Sequence, residues 1–170
     1  MNILNHARSL ADGLAKNEKR IVFAESCTAG LVSATLASVP GISNWLCGSA
    51  VVYREQTKTQ WLNIAASLIE KHTAVSALVT MELAKNVLEQ TPEADLAVAV
   101  TGHLGPDAPA ELDGIIYVGV LWRGQRIADA AVRAVRLAAS ERVERQQEAA
   151  GIVLSDASES LSAKYSPRLR

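Results

Sequence analysis

Ile21-Val22-Phe23-Ala24-Glu25-Ser26-Cys27-Thr28-Ala29-Gly30 runs from a short apolar stretch into a polar, hydroxyl-rich joint that ends in glycine. Four apolar residues in a row suit a strand buried on both faces, as in a parallel sheet covered by helices. Beyond the joint, Val32, Leu36 and Val39 fall on one helical face, and Pro40-Gly41 stops the helix. Strand, turn and helix in this order form the building unit of an α/β domain.

The flanking sequence repeats the alternation. Leu4, Ala7, Ala11 and Leu14 have helical spacing, so an amphipathic helix precedes the first strand. The segment from Trp45 to Tyr53 reads as a second strand, and Gln56 to Leu62 as a helix. A longer helix spans Ser76 to Glu89, with Ser76 as its cap and Ala77, Met81, Ala84 and Leu88 forming the buried stripe. Asp95 to Val100 is a further buried strand, followed by a Gly- and Pro-containing loop from Thr101 to Asp113. Ile115 to Leu121 and Ile127 to Val135 read as two strands joined at Arg123-Gly124-Gln125, a connection that implies an antiparallel hairpin. Ser140 caps a last helix that keeps Val143, Ala150, Leu154, Ala157 and Leu161 on one face. The expectation is one α/β domain over residues 1–164, with a mixed, mostly parallel sheet, helices on both faces and a late antiparallel hairpin. Residues 165–170 read as a frayed tail.

Composition narrows the function classes. The chain has 170 residues, 49% hydrophobic and 21% charged, with a formal net charge of −1, which excludes disorder. Lys and Arg number 17 against 18 Asp and Glu, and aromatic residues make up 4%, so a nucleic-acid binder or a base-stacking platform is not expected. No apolar run reaches the roughly 20 residues of a membrane span, and the amino end lacks the order of a signal peptide. Cys27 and Cys47 make neither a disulfide framework nor a four-ligand zinc pattern. These features point to a protein of the reducing cytoplasm, without membrane or nucleic-acid partners.

Ligands of open α/β sheets bind beyond the carboxyl ends of the strands, where the Glu25–Gly30 and Thr101–Asp107 loops fall. Backbone N–H groups at the start of the second helix would favour a phosphate or a developing oxyanion, although Ser26 or Thr28 can equally act as a simple helix cap. Gly102 and Gly105 permit positive φ or close ligand approach, and equally an ordinary turn. His103 is either an acid–base group or a surface histidine. Lys58, if kept neutral by burial, can deprotonate a serine; otherwise it is a solvated helix lysine.

Taken together, Ala24-Glu25-Ser26-Cys27-Thr28-Ala29-Gly30, Pro40-Gly41-Ile42-Ser43-Asn44-Trp45, Val52-Tyr53 with Lys58, Ala74-Val75-Ser76, and Thr101-Gly102 with Gly105-Pro106-Asp107 occur in one order. In this the chain resembles the CinA C-terminal domain family, over about Ile21 to Val120. Active members of that family are nicotinamide-nucleotide amidohydrolases, which convert nicotinamide mononucleotide to nicotinic acid mononucleotide and ammonia in pyridine-nucleotide recycling. The resemblance implies a Ser–Lys mechanism with no metal or organic cofactor. By motif position it implies Ser26, Ser43, Tyr53, Lys58 and Thr101 as the catalytic group, with Lys58 as base, Tyr53 orienting or relaying the proton, and either serine as nucleophile. Glu25, Cys27, Thr28, Gly30, Gly102 and Gly105 are the implied substrate-binding residues for a small-molecule nucleotide. The resemblance also suggests assembly as a homodimer. Full-length relatives carry an amino-terminal domain resembling molybdopterin-binding proteins; with about 20 residues before its first strand, this chain reads as a stand-alone CinA-like protein.

The chain departs from the family pattern at several points. Ala29 replaces the first glycine of the usual Ser-Cys-Thr-Gly-Gly, and Ala108-Pro109 replaces the two glycines of Gly-Pro-Asp-Gly-Gly. Gly48-Ser49 stands for the usual Arg-Gly, Arg54-Glu55 for a small polar pair after the tyrosine, and Ser140 for an arginine before the last helix. Arg142 and Arg145 are the candidates to replace that arginine. Two function classes follow: a working amidohydrolase, or a divergent non-catalytic paralogue that keeps the pocket as a nucleotide-binding module.

Overall fold

The computed structural model describes residues 2–165. Five strands form one sheet: β1 (Ile21–Glu25), β2 (Leu46–Val51), β3 (Leu96–Gly102), β4 (Ile115–Trp122) and β5 (Ala131–Arg136), in the order β2-β1-β3-β4-β5. β2, β1 and β3 run parallel, while β4 and β5 add antiparallel strands at one side. Six α-helices cover the sheet: α1 (Ile3–Asn17), α2 (Leu31–Ala37), α3 (Glu55–Leu62), α4 (Ala66–His72), α5 (Ala77–Glu89) and α6 (Arg142–Tyr165). This is the expected α/β domain with a mixed sheet. The expected tail after residue 164 lies, from 166 onward, outside the described residues, and Tyr165 ends α6.

Alternation along each strand divides the core between the two faces. Ile21, Phe23, Val98, Val100, Ile116 and Val118 pack against α1, α2 and α6 through residues such as Leu10, Leu14, Leu36, Val153 and Leu154. Val22, Ala24, Ala97 and Ala99 face α5 through Val79, Leu83, Ala84 and Val87, with Leu62 and Ile69 beside them. Small alanines on this second face let α5 lie close to the sheet. At β4, a Cβ on Gly119 would come within 2.7 Å of the Met81 sulfur, so a larger residue would force the Met81 side chain to move.

Several elements depart from the sequence expectation. α4 has no counterpart there, because one buried residue (Ile69) and a cap without a polar side chain (Ala65) give it neither periodicity nor a start signal. β3 extends through Gly102, pairing Thr101 with Tyr117 and Gly102 with Ile116, so the following loop begins at His103. Ile127–Asp129 is a 3-10 turn rather than the start of a strand, held by an Arg126–Asp129 ion pair at 2.7 Å. The antiparallel connection therefore spans 123–130 and is longer than the three residues expected. Helix α6 starts two residues beyond Ser140.

Ala29 has φ +53° and the next residue, Gly30, φ +94°. The turn after β1 thus needs two consecutive left-handed residues, and alanine at the first costs roughly 1 kcal/mol relative to glycine. Because Ala29 is exposed and loses no packing, Ala29→Gly is expected to stabilise the protein by about 1 kcal/mol, a rise of about 2–4 °C in Tm. Calorimetry of the two proteins checks this; an unchanged or lower Tm would contradict it.

Candidate active site

The joint after β1 is organised by a buried carboxylate. The Glu25 side chain is fully buried and turns back beneath the first turn of α2. Its Oε2 accepts from the Thr28 hydroxyl (2.8 Å) and the amides of Gly30 (3.0 Å) and Val32 (3.1 Å). Its Oε1 accepts from the Ser33 amide and the Ser49 hydroxyl, both at 3.0 Å. Five donors and the positive end of the helix replace the water a carboxylate loses on burial. The expectation that α2 offers free amides to a phosphate is corrected here: Glu25 occupies them. Glu25 and Thr28 are structural members of the turn, and Gly30 serves it with its positive φ.

Holding the turn in this way leaves Ser26 directly past the carboxyl end of β1, where its amide is bonded to the Val100 carbonyl (3.1 Å). The first turn of α3 brings Lys58 to it. Lys58 is 1% exposed, and its Nζ lies 2.9 Å from Ser26 Oγ, 2.8 Å from the Val52 carbonyl and 3.4 Å from the Tyr53 carbonyl. Burial lowers the lysine pKa to about 8, because desolvation penalises the ammonium form. A neutral amine has two N–H bonds and one lone pair. With both N–H bonds given to the two carbonyls, the lone pair is left to face Ser26 Oγ.

Ser26, Cys27, Tyr53, Lys58, Gly102 and Gly105 line one cavity of about 640 Å³ beyond the carboxyl ends of β1, β2 and β3. Its wall also includes Arg54, Glu55, Gln56, Ala74, Val75, His103, Asp107 and Arg142. Gly102 is required by close approach: a Cβ there would lie 2.5 Å from Ile116 Cγ2 and 3.1 Å from the Cys27 sulfur. Burial pushes the Cys27 thiol up to about 12, which leaves it unionised beside Ser26.

Two residues expected in the catalytic group lie elsewhere. Ser43 is exposed in the 3-10 turn Ile42–Asn44 that precedes β2. β2 enters the sheet with Leu46 beside Ile21, so Ser43 lies at the amino ends of the strands. The length of β1, about 17 Å, separates it from Ser26. Thr101 is fully buried on the α5 side of β3, its hydroxyl 2.8 Å from that of Thr80, whose own hydroxyl donates to the Ser76 carbonyl (2.7 Å). Strand alternation turns Gly102, not Thr101, towards the cavity. Tyr53 lines the cavity, but its hydroxyl accepts from Arg142 Nη2 (2.7 Å) and bonds to neither Ser26 nor Lys58. The tyrosine supplies Lys58 with its backbone carbonyl rather than with its phenol.

Helix α6 supplies the arginine that the sequence left between two candidates. Arg142 reaches the cavity, with Nη1 donating to the Gly105 carbonyl in addition to the Tyr53 contact. Arg145 instead holds the loop before β4, making a bidentate pair with Asp113 at 2.7 and 2.9 Å. One turn beyond Arg142, Gln146 Nε2 donates to the Thr28 carbonyl (3.1 Å), joining α6 to the Ser26 turn. Nothing in the local sequence separates these roles, since each depends on where α6 lies against the sheet.

The family model for the CinA C-terminal domain matches residues 4–161. The chain belongs to this family. A CinA-like protein from Dictyoglomus thermophilum is 38% identical over 118 residues, covering 68% of this chain and 28% of that protein. A putative competence-damage inducible protein from Lacticaseibacillus casei is 37% identical over 120 residues, covering 70% and 29%. The matched segment spans under a third of the length of these relatives. Among solved structures, competence damage-inducible protein A from Klebsiella pneumoniae superposes with a TM-score of 0.88 at 24% identity, covering 95% of this chain and 98% of that one. A competence/damage inducible protein from Agrobacterium tumefaciens gives 0.83 at 25% identity, covering 96% and 95%. The CinA fold therefore extends over nearly the whole of this chain.

Removing the Glu25 carboxylate strands three amides and two hydroxyls in a dry turn. Glu25→Ala is expected to destabilise the protein by about 3 kcal/mol or more. Glu25→Gln keeps the volume but presents an NH₂ group to donors, and should recover only part of the loss. Urea unfolding of the three proteins measures this; a cost below about 1 kcal/mol for Glu25→Ala would contradict the assignment.

Proposed function

We propose that this CinA-family domain is an amidohydrolase that cleaves the carboxamide of nicotinamide mononucleotide, giving nicotinic acid mononucleotide and ammonia. The observation that carries the reading is the buried Lys58 amine at 2.9 Å from Ser26 Oγ, with its remaining donors spent on two backbone carbonyls. Two observations support a small-molecule substrate of this kind: membership of the CinA family and a cavity volume of about 640 Å³, in the range of small-molecule sites.

In this mechanism the neutral Lys58 amine takes the Ser26 hydroxyl proton as Oγ attacks the amide carbon. The carbonyl oxygen becomes an oxyanion next to the amide of Cys27, the residue that follows the nucleophile. The Lys58 ammonium then gives its proton to the leaving nitrogen, and ammonia departs to leave an acyl-serine. Water, deprotonated by the same amine, attacks the ester and releases the carboxylate, and the proton returns to Ser26. Ser43 and Thr101 take no part.

No helix among the described residues is long and apolar enough to cross a membrane. The non-catalytic alternative rests on the altered loops at Ala29 and Ala108-Pro109 and on Ser140 in place of an arginine; the buried Lys58 amine beside Ser26 favours the enzyme.

Mass spectrometry of nicotinamide mononucleotide after incubation with the protein tests the reading, with ammonia release as a second readout. With Lys58 titrating near 8, roughly a tenth of it is neutral at pH 7. Since the neutral form is the base, kcat/KM should rise about tenfold per pH unit below 8 and level off above it. Lys58→Ala and Lys58→Arg should each lower kcat on the order of 10²–10⁴-fold, because a guanidinium stays protonated. Ser26→Ala should abolish turnover and Ser43→Ala should retain it. Equal activity of wild type and Lys58→Ala would sink the Ser–Lys mechanism. Tight binding without turnover by the wild type would assign the domain to nucleotide binding alone.

A further inference from the structure

An α/β sheet usually seats a nucleotide's phosphate at the amino end of the helix that follows the first strand. Here that seat is filled by the Glu25 carboxylate, which takes the Gly30, Val32 and Ser33 amides. A phosphate entering the cavity must therefore be read by side chains on its wall. The wall carries Glu55 and Asp107 as well as Arg54, Arg142 and Lys58, and Lys58 is already committed to Ser26 and two backbone carbonyls, so recognition of the phosphate falls to a directed contact with one guanidinium.

The two arginines differ in what they already hold. Arg142 spends Nη1 on the Gly105 carbonyl and Nη2 on the Tyr53 hydroxyl, joining the 103–114 loop to the end of β2 across the cavity. Turning that fork towards a phosphate would strip both partners of a charge-assisted hydrogen bond. The Arg54 backbone is bonded to Thr57 and Lys58, but its guanidinium makes no hydrogen bond or ion pair among the described residues, and the residue is exposed at the cavity wall. It also follows directly on the Val52 and Tyr53 carbonyls that hold Lys58, so an anion fixed at Arg54 is indexed to the catalytic base.

We propose that Arg54 is the specificity-determining residue that reads the substrate's phosphate, and that Arg142 is a positioning strut for Tyr53 and the Gly105 loop. This rests on the amidohydrolase reading for its substrate, but the arginine assignment can fail or stand separately. The test compares kcat/KM for nicotinamide mononucleotide with that for the unphosphorylated riboside in wild type, Arg54→Gln, Arg54→Lys and Arg142→Gln. Arg54→Gln should lower the mononucleotide-to-riboside ratio on the order of 10–100-fold, through KM for the mononucleotide, and Arg54→Lys should restore part of it. Arg142→Gln should lower turnover of both compounds and keep their ratio. A ratio preserved in Arg54→Gln, or lost in Arg142→Gln alone, overturns the proposal. Calorimetric Kd values for the same two ligands separate the two readings. If the wild type hydrolyses neither compound yet binds the mononucleotide more tightly in an Arg54-dependent way, the amidohydrolase reading fails and this one stands. No phosphate preference in the wild type by either measurement overturns it.

Discussion

The Glu25 carboxylate at the start of α2 is the contact on which the rest of the site depends. It closes β1, caps α2, draws Ser49 of β2 to the same point and fixes the backbone of residues 26 to 33. A carboxylate in so dry a place is normally costly, but here every lone-pair direction is met by a donor and the helix end contributes positive potential. Two consequences follow from one interaction. Ser26 is held rigidly past the strand end, and the helix terminus is withdrawn from ligand binding.

Lys58 is built on a similar economy of hydrogen bonds. The chain leaves β2 at Val51, and the next two carbonyls, of Val52 and Tyr53, point at the lysine that α3 carries back over them. The carbonyls orient the amine, while burial lowers its pKa to about 8. Helix α6 completes the site from the opposite side. Within its first turns, Arg142 braces the cavity, Arg145 pins the loop before β4 and Gln146 touches the Ser26 turn.

Much of the fold was legible because its signals are local. The apolar run at Ile21, the Ser76 cap with its periodic stripe, and the paired apolar runs around Gly124 each announce an element within a few residues. α4 was not legible, as a single buried isoleucine sets no period. The extra turn at Ile127–Asp129 was also hidden, because a short apolar stretch reads the same whether it pairs as a strand or folds into a 3-10 turn.

The site divides along the same line. Sequence by itself determined the Glu25–Gly30 joint, the lysine in the following helix and the family to which the chain is similar, since motif order and spacing are properties of the chain alone. Only the tertiary structure separates the two serines and puts Ser26 beside Lys58. Parallel strand direction puts Ser26 and Ser43 at opposite ends of the sheet, and direction is set by pairing with a distant strand. It also decided that Thr101 faces α5, that Glu25 accepts from the amides at the start of α2, and that Arg142 rather than Arg145 reaches the cavity. Each of these depends on which donor meets which acceptor across the fold, and those pairings form only once strands and helices from distant parts of the chain have packed together.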